Sequence, residues 1–131
     1  MEKLRGTVAE GMRKGRVFLS HSEYQKRIEK MAGFVPFAGT LNLKIDSGEW
    51  KKARKQLPKK TIAPFKHQQQ SFGGLDLYAC RLPDQSSVAV IVPHKTTHSA
   101  DIIEIIAAKN LRKEFGLKNG ESFEIFLGGP K

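Results

Sequence analysis

A glycine-punctuated basic segment near the N-terminus is the first candidate for chemistry. The stretch GMRKGR, residues 11–16, places Arg13, Lys14 and Arg16 between glycines. Glycine lets backbone N–H groups approach a phosphate, and the basic side chains would supply the compensating charge. A flexible basic hairpin loop is the ordinary explanation of the same pattern. A Walker-type phosphate loop is excluded, because its nearest match, GTVAEGM, has Met12 in place of the lysine, and the dinucleotide fingerprint G-x-G-x-x-G is absent.

A second candidate is the segment VPFAGTLNLKI, residues 35–45, which ends as a strand of alternating character. Successive side chains of a strand point to opposite faces. One face therefore carries three aliphatic residues and the other three polar ones, which are Thr40, Asn42 and Lys44. A half-buried strand with its polar face in water is the ordinary explanation of this alternation.

Other polar residues offer weaker possibilities. Glu104 interrupts four isoleucines in IIEIIA. On a helical wheel it falls opposite the apolar stripe, so it is either a solvent-facing charge or a carboxylate aimed at a ligand. His94 and His98 have a spacing that could suit a metal, but no third ligand is evident. Cys80 lies in an apolar strand, where an inert core thiol is expected.

Length and composition indicate one domain over residues 1–131, with 39% hydrophobic residues. The single cysteine excludes an intramolecular disulfide and a cysteine-built zinc site. With no signal peptide and no transmembrane run, we expect a cytoplasmic protein. The net charge of +10, dense in residues 51–67, attracts anions in general, so it does not choose among nucleotides, nucleic acid and acidic membranes. A solubilising surface explains it equally well.

The elements that must position these residues are mostly strands. A strand is predicted around Arg5 to Ala9, and others in TIAPF, FGGLDLYACRL, SVAVIVP and SFEIFL, besides the strand that begins at Thr40. One helix is predicted from Ser20 as N-cap to Gly33, and a second from Ser99 as N-cap through IIEIIAAKNL. Residues 46–60 indicate a basic connection with a short helical turn near Trp50. About six strands and two helices favour a small β-barrel decorated by helices.

Taken together, these motifs resemble a known family. The order GTVAEGMRKGRVFLS, Tyr24, GFVPFAGTLNLKI, SFGGLDLYAC, HKTTHSADIIEIIA and LR is similar to that of the archaeal CTP-dependent riboflavin kinases. The similarity runs from about Gly6 to the last strand. Two departures are Ala38, where the family commonly has a second proline, and the absence of a glutamate from the glycine-rich loop.

The resemblance implies a mainly β, six-stranded cradle-loop barrel with peripheral helices. It also implies transfer of the γ-phosphate of CTP to riboflavin, giving FMN and CDP with the help of Mg²⁺. The expected protein is a cytoplasmic monomer with no membrane partner and no nucleic-acid partner. Because the similarity begins at Gly6, no N-terminal helix-turn-helix domain is expected. The alternative from the residues alone is a non-catalytic basic β-barrel that binds nucleic acid.

The resemblance also assigns site residues. Magnesium ligands are expected at Thr40 and Asn42, whose positions lie about 6.6 Å apart along the strand, close enough to share one hard cation. Flavin contacts are expected at Thr96 and Glu104, and Glu104 is the candidate catalytic base. The nucleotide is expected to bind two segments, which comprise Gly11, Met12, Arg13, Lys14, Gly15, Arg16, Lys109, Asn110, Leu111 and Arg112.

Overall fold

Short strands dominate the computed structural model, which describes residues 3–10, 19–95 and 101–129. In chain order the strands are β1 Lys3–Ala9, β2 Leu41–Lys44, β3 Lys60–Ile62, β4 Phe65–His67, β5 Gln70–Phe72, β6 Leu75–Arg81, β7 Ser87–Pro93, β8 Ile102–Ala107 and β9 Ser122–Leu127. The helices are α1 Ser22–Ala32, α2 Ser47–Arg54 and α3 Leu111–Phe115.

Six of the strands close into an antiparallel barrel. They are ordered β6-β7-β8-β2-β1-β9, and β9 returns to pair with β6 through Cys80 opposite Leu127 and Arg81 opposite Phe126. Strand β3 extends the sheet beside β6, while β4 and β5 form a separate hairpin. The predicted six-stranded, mainly β barrel is therefore confirmed, with three short helices in the described part where two were expected.

Two apolar clusters hold the barrel together. The interior cluster takes alternate residues from every barrel strand, including Leu43, Val90 and Ile105. The outer cluster lies under α1, where Tyr24 and Ile28 pack on the faces of β7 and β8 that point away from the barrel interior. Because successive strand residues alternate in direction, β7 and β8 contribute to both clusters and are buried on both sides.

The remaining helices cap the two ends of the barrel. Trp50 of α2, which follows the end of β2, and Leu111 of α3, which follows the end of β8, both enter the interior cluster. Since β2 and β8 are antiparallel, these ends are opposite. Helix α2 extends the short turn expected near Trp50 to eight residues, with the Asp46 carboxylate accepting a hydrogen bond from the Glu49 N–H at 3.0 Å.

The predicted second helix is wrong over most of its length. The IIEIIA segment forms β8, and only Leu111–Phe115 is helical. A short apolar run buried on both faces looks alike in a strand and in a helix, and β-branched isoleucine favours the strand. Its expected N-cap, Ser99, lies outside the described residues.

The first helix is confirmed, but it begins one residue later than expected. His21, not Ser20, is its N-cap, with Nδ1 accepting the Glu23 N–H at 3.2 Å. Gly33 ends the helix at φ 84°, a left-handed conformation that glycine adopts without strain. Within the described ranges, no helix has the length and apolar character needed to cross a membrane.

Candidate active site

A polar pair stands at the start of β2. Thr40 Oγ1 donates a hydrogen bond to Asn42 Oδ1 at 2.7 Å. Leu41 and Leu43 point into the barrel, so Asn42 projects from its outer surface. Asn42 is nevertheless only 2% exposed. The ordinary explanation of the alternation, a polar face in water, is therefore wrong at Asn42.

The turn that leads into this pair is anchored to the end of β8. The backbone N–H of Phe37 donates to the carbonyl of Ala107 at 2.7 Å. Gly39 follows with φ 152°, a conformation that side chains rarely adopt, and an added Cβ would lie 3.4 Å from the Phe37 ring. Glycine at this position lets the chain enter β2 with Thr40 beside Asn42.

Glu104 lies directly across from Asn42 in the antiparallel register of β2 and β8. Opposite residues on one face of such a pair have Cβ atoms about 4.5–5.5 Å apart. Glu104 is 6% exposed, so the solvent-facing position suggested by the helical wheel is wrong. The register brings a carboxylate next to Asn42, whose amide oxygen accepts the Thr40 hydroxyl. We call Thr40, Asn42 and Glu104 the oxygen cluster.

The oxygen cluster has donors of the type that hard cations prefer. Neighbouring ligands of an octahedral Mg²⁺, each about 2.1 Å from the metal, lie about 3 Å apart. The separation of 2.7 Å between Thr40 Oγ1 and Asn42 Oδ1 fits this spacing once the hydroxyl proton turns away. Among the described residues, no group of three or more His, Cys, Asp or Glu could hold a metal. A cation held by Thr40 and Asn42 would bind through neutral oxygens, so a ligand that carries negative charge would have to complete the coordination.

The segment Lys109–Arg112 lies at the same end of the barrel, and its side chains have distinct contacts. Asn110 caps α3, with Oδ1 accepting the Lys113 N–H at 3.3 Å, and Leu111 is buried. Lys109 is exposed and pairs with Glu114 at 3.6 Å. Of the four residues, Lys109 therefore has the side chain that is most open to a ligand.

Arg112 ties this segment to the oxygen cluster. Its Nη2 donates to the Ala9 carbonyl at 2.8 Å and to Asn119 Oδ1 at 2.6 Å. Ala9 is also the β1 partner of Asn42. The contact thus joins α3 to the end of β1, beside the oxygen cluster, and Ala9 lies two residues before the basic loop. That loop, with Gly11, Met12, Arg13, Lys14, Gly15 and Arg16, and Thr96 lie outside the described residues.

Two alternative chemistries lose support in the described structure. His94 Nε2 lies 3.1 Å from Asp76 Oδ1, which also accepts the Thr61 hydroxyl at 2.8 Å. Burial raises the pKa of Asp76, but the hydrogen bonds from His94 and Thr61 outweigh burial and lower it. His94 thus has a carboxylate partner, and His98 lies outside the described residues. Burial raises the pKa of Cys80 to about 11, so its thiol stays protonated and is not a nucleophile.

Sequence reasoning missed the contact between Arg112 and Ala9, which joins residues 103 positions apart. No periodicity or local motif signals such a contact. It also missed the register that sets Glu104 beside Asn42, although reading IIEIIA as a strand would have placed Glu104 on the face opposite Ile103 and Ile105.

Comparison with known proteins identifies the family. Residues 8–127 match the family model CTP-dep_RFKase, described as "Domain of unknown function DUF120". The chain therefore belongs to this family, as the sequence motifs predicted.

Archaeal relatives support the same assignment. A protein named "Riboflavin kinase" from Saccharolobus solfataricus is 32% identical over 126 residues, covering 94% of this chain and 72% of the relative. Proteins of the same name from Pyrobaculum islandicum and Archaeoglobus fulgidus are 34% and 32% identical, each over 94% of this chain. The chain spans 59% of the Pyrobaculum protein and 53% of the Archaeoglobus protein.

Proposed function

We propose that this chain is a riboflavin kinase that transfers the γ-phosphate of CTP to riboflavin, giving FMN and CDP. The observation that carries the proposal is the oxygen cluster, where Asn42, which accepts the Thr40 hydroxyl, lies across from Glu104. The family membership and the names of the archaeal relatives support a kinase acting on riboflavin. The net charge of +10 favours an anionic substrate.

Thr40 and Asn42 would hold Mg²⁺ through their side-chain oxygens. When bound, the metal would neutralise negative charge on the phosphates of the nucleotide. The basic loop from Gly11 to Arg16 would bind the phosphates through backbone N–H groups and cationic side chains. The segment from Lys109 to Arg112 would complete the nucleotide site, with the exposed Lys109 offering a positive charge and Arg112 fixing α3 against β1.

Glu104 would act on the acceptor. In the proposed transfer, the terminal hydroxyl oxygen of the ribityl chain bonds to the γ-phosphorus, and the bond from that phosphorus to the β–γ bridging oxygen breaks. CDP leaves, and the hydroxyl proton passes to a carboxylate oxygen of Glu104. Thr96 would contact the flavin. The burial of Asn42 and Glu104 would limit the access of water that could otherwise compete as phosphoryl acceptor.

The direct test is formation of FMN by the purified chain. Riboflavin and Mg²⁺ are incubated with CTP, UTP, ATP or GTP in separate reactions, and FMN is quantified by chromatography. We expect FMN mainly with CTP and almost none when Mg²⁺ is chelated. Absence of FMN with every donor across a range of temperatures would refute the proposal. Steeply salt-dependent binding to oligonucleotides would then favour the nucleic-acid alternative.

A further inference from the structure

A groove of about 540 Å³ lies between the C-terminal half of α1 and β3, on the side of the sheet that α1 covers. Its apolar walls include Met31, Ile62, Pro64 and Phe65. The volume falls within the range of about 300–1,000 Å³ that is usual for small-molecule sites. We call it the β3 groove.

The β3 groove is separate from the oxygen cluster. In the sheet order β3-β6-β7-β8, strand β3 lies three strand spacings from β8, about 14 Å along the sheet. Helix α1 packs on the surface between them, where Ile28 joins the outer cluster with Ile62 of β3 and Ile106 of β8. Asn42 and Glu104 do not line the groove. A ligand in the β3 groove would therefore not occupy the proposed phosphate-transfer site.

Three cationic side chains line the β3 groove, and none of the described residues that line it is acidic. Arg27 and Lys30 lie three positions apart, so they share one face of α1, and Lys60 comes from β3. Like charges at this helical spacing repel each other. An anion between the three side chains would relieve that repulsion, so the groove is complementary in charge to a negatively charged group.

The cationic side chains keep donors available for such a group. Lys60 Nζ donates to the Met31 carbonyl at 2.7 Å, which uses one of its three N–H donors. Lys30 is exposed and forms no ion pair with any residue in the described ranges. The Arg27 guanidinium lies 3.9 Å from the centre of the Phe65 ring, and the Phe72 ring stacks on Phe65 with centres 5.0 Å apart. These ring contacts fix Arg27 and one apolar wall in place.

Arg27 also has a donor that the described structure does not satisfy. Its Nε is buried without a hydrogen-bond partner among the described residues. The Glu23 carboxylate lies 3.8 Å from Arg27 Nη2, beyond hydrogen-bond distance, and is shared with Lys26 and His67. A cation near the end of α1 stabilises the helix dipole, which accounts for Lys30 but not for a buried, unpaired guanidinium. Arg27 therefore bears a desolvation cost that a bound anionic acceptor would offset.

We propose that the β3 groove binds a small amphipathic anion, with a phosphate or carboxylate held by Arg27, Lys30 and Lys60 and an apolar body against the apolar walls. A guanidinium can donate two parallel hydrogen bonds to either kind of anionic group. The site is additional to the proposed kinase site, and its ligand is not a substrate of that reaction.

The test is a nuclear magnetic resonance titration of the ¹⁵N-labelled chain with phenyl phosphate and with benzoate. We expect saturable shifts at the backbone amides of residues 27–31 and 60–65, and the probe that binds more tightly identifies the anionic group. Inorganic phosphate lacks the apolar body and phenol lacks the charge. Each should therefore bind at least about tenfold more weakly than the tighter probe.

Two variants connect the binding to the cationic side chains. Lys30→Glu reverses an exposed charge and should raise the Kd of the tighter probe about tenfold or more. Arg27→Met should raise it about 10- to 100-fold, the range for loss of a hydrogen bond to a charged group. Lys52→Glu, on the exposed face of α2 and outside the groove, makes the same change in net charge as Lys30→Glu. This control should change the Kd by about twofold or less, because salt screens distant charges.

The proposal is overturned if neither probe shifts the amides of the two segments. It is also overturned if Lys30→Glu and Arg27→Met bind as the wild-type chain does, or if Lys52→Glu weakens binding as much as Lys30→Glu. Inorganic phosphate or phenol binding as tightly as the better probe would contradict an amphipathic ligand. None of these results depends on FMN formation, so the groove assignment and the kinase assignment can fail separately.

Discussion

At the scale of single residues, burial separates side chains that the sequence makes look equivalent. Asn42 and Lys44 both project from the outer face of β2. The Lys44 side chain is 66% exposed and pairs loosely with Asp101 at 4.0 Å, whereas Asn42 is almost completely buried. The outer face of β2 is therefore exposed to solvent at Lys44 and buried at Asn42, two residues earlier in the candidate site. Buried amide groups in proteins are hydrogen-bonded, because an unpaired polar group is costly away from water. The Thr40 hydroxyl donates such a bond to Asn42 Oδ1.

The first prediction at this scale concerns the Thr40 hydroxyl. Thr40→Val keeps the shape of the side chain and removes the oxygen that donates to Asn42. We expect FMN formation to fall at least about tenfold. Loss of a residue that only hydrogen-bonds to a metal ligand already lowers activity by about that factor. The free energy of unfolding should fall by about 1–3 kcal/mol, since the buried Asn42 Oδ1 loses the Thr40 donor. Initial rates at several Mg²⁺ concentrations and thermal denaturation measure the two effects.

The matched control is Thr7→Val, on the exposed face of the neighbouring strand β1. This variant makes the same chemical change away from the oxygen cluster and should keep full activity. Equal losses of activity in both variants would show that the Thr40 hydroxyl has no special part in the reaction.

At the scale of elements, the short helix α3 depends on one long-range contact. Five residues are too few to form a stable helix alone, so its place is set by Leu111 in the core and by Arg112 on the carbonyl of Ala9. The same contact holds the end of β1 next to the oxygen cluster. The position of the proposed nucleotide segment therefore depends on a guanidinium and not on helix propensity.

The second prediction is that Arg112→Lys loosens this attachment. Lysine keeps the charge but cannot reproduce the planar donor geometry that reaches both Ala9 and Asn119. We expect a loss of about 1–3 kcal/mol in the free energy of unfolding and a higher KM for CTP. Urea denaturation and steady-state kinetics test these effects. Lys113→Ala, an exposed change on the same helix, should alter both quantities little; comparable effects from the two changes would contradict a specific role for Arg112.

At the scale of the whole molecule, the barrel closes through a short seam. Strands β6 and β9 share only two residue pairs, whereas β6 and β7 share seven. Arg81 reinforces this seam, because its Nη1 donates to the Leu127 carbonyl at 2.7 Å and its guanidinium lies over the Phe126 ring. Its Nε is buried with no hydrogen-bond partner in the described structure, which offsets part of the stabilisation.

The third prediction is that Arg81→Met weakens barrel closure. Methionine retains much of the apolar contact but removes the charged hydrogen bond, so we expect a loss of about 1–3 kcal/mol in the free energy of unfolding. Hydrogen exchange should accelerate first at the amides of β9. Arg5→Met removes an exposed arginine whose nearest carboxylate, on Glu124, lies 4.0 Å away, and should change stability by about 0.5 kcal/mol or less. Unchanged exchange in β9 of Arg81→Met would contradict this role.

The sequence by itself determined the family, the mainly β character and most strand positions. Alternating aliphatic residues and turn residues are local signals, which suffice for strands such as β2 and β9. The motif GTLN also identified Thr40 and Asn42 as candidate ligands before any contact was known. The C-terminal end of β1 at Ala9 and the glycine that ends α1 were likewise predicted, because each depends on near neighbours in the chain, whereas β1 begins two residues earlier than expected, at Lys3.

The tertiary structure decided what depends on distant residues. IIEIIA is a strand because the barrel interior covers one of its faces and α1 packs against Ile106 on the other. Glu104 is buried beside Asn42 because the register of β2 and β8 sets it there, and Arg112 reaches Ala9 because the barrel brings their chain segments together. Periodicity reports which residues share a face. It does not show which residues of the neighbouring strands they contact, since the register between strands is set only when the sheet closes.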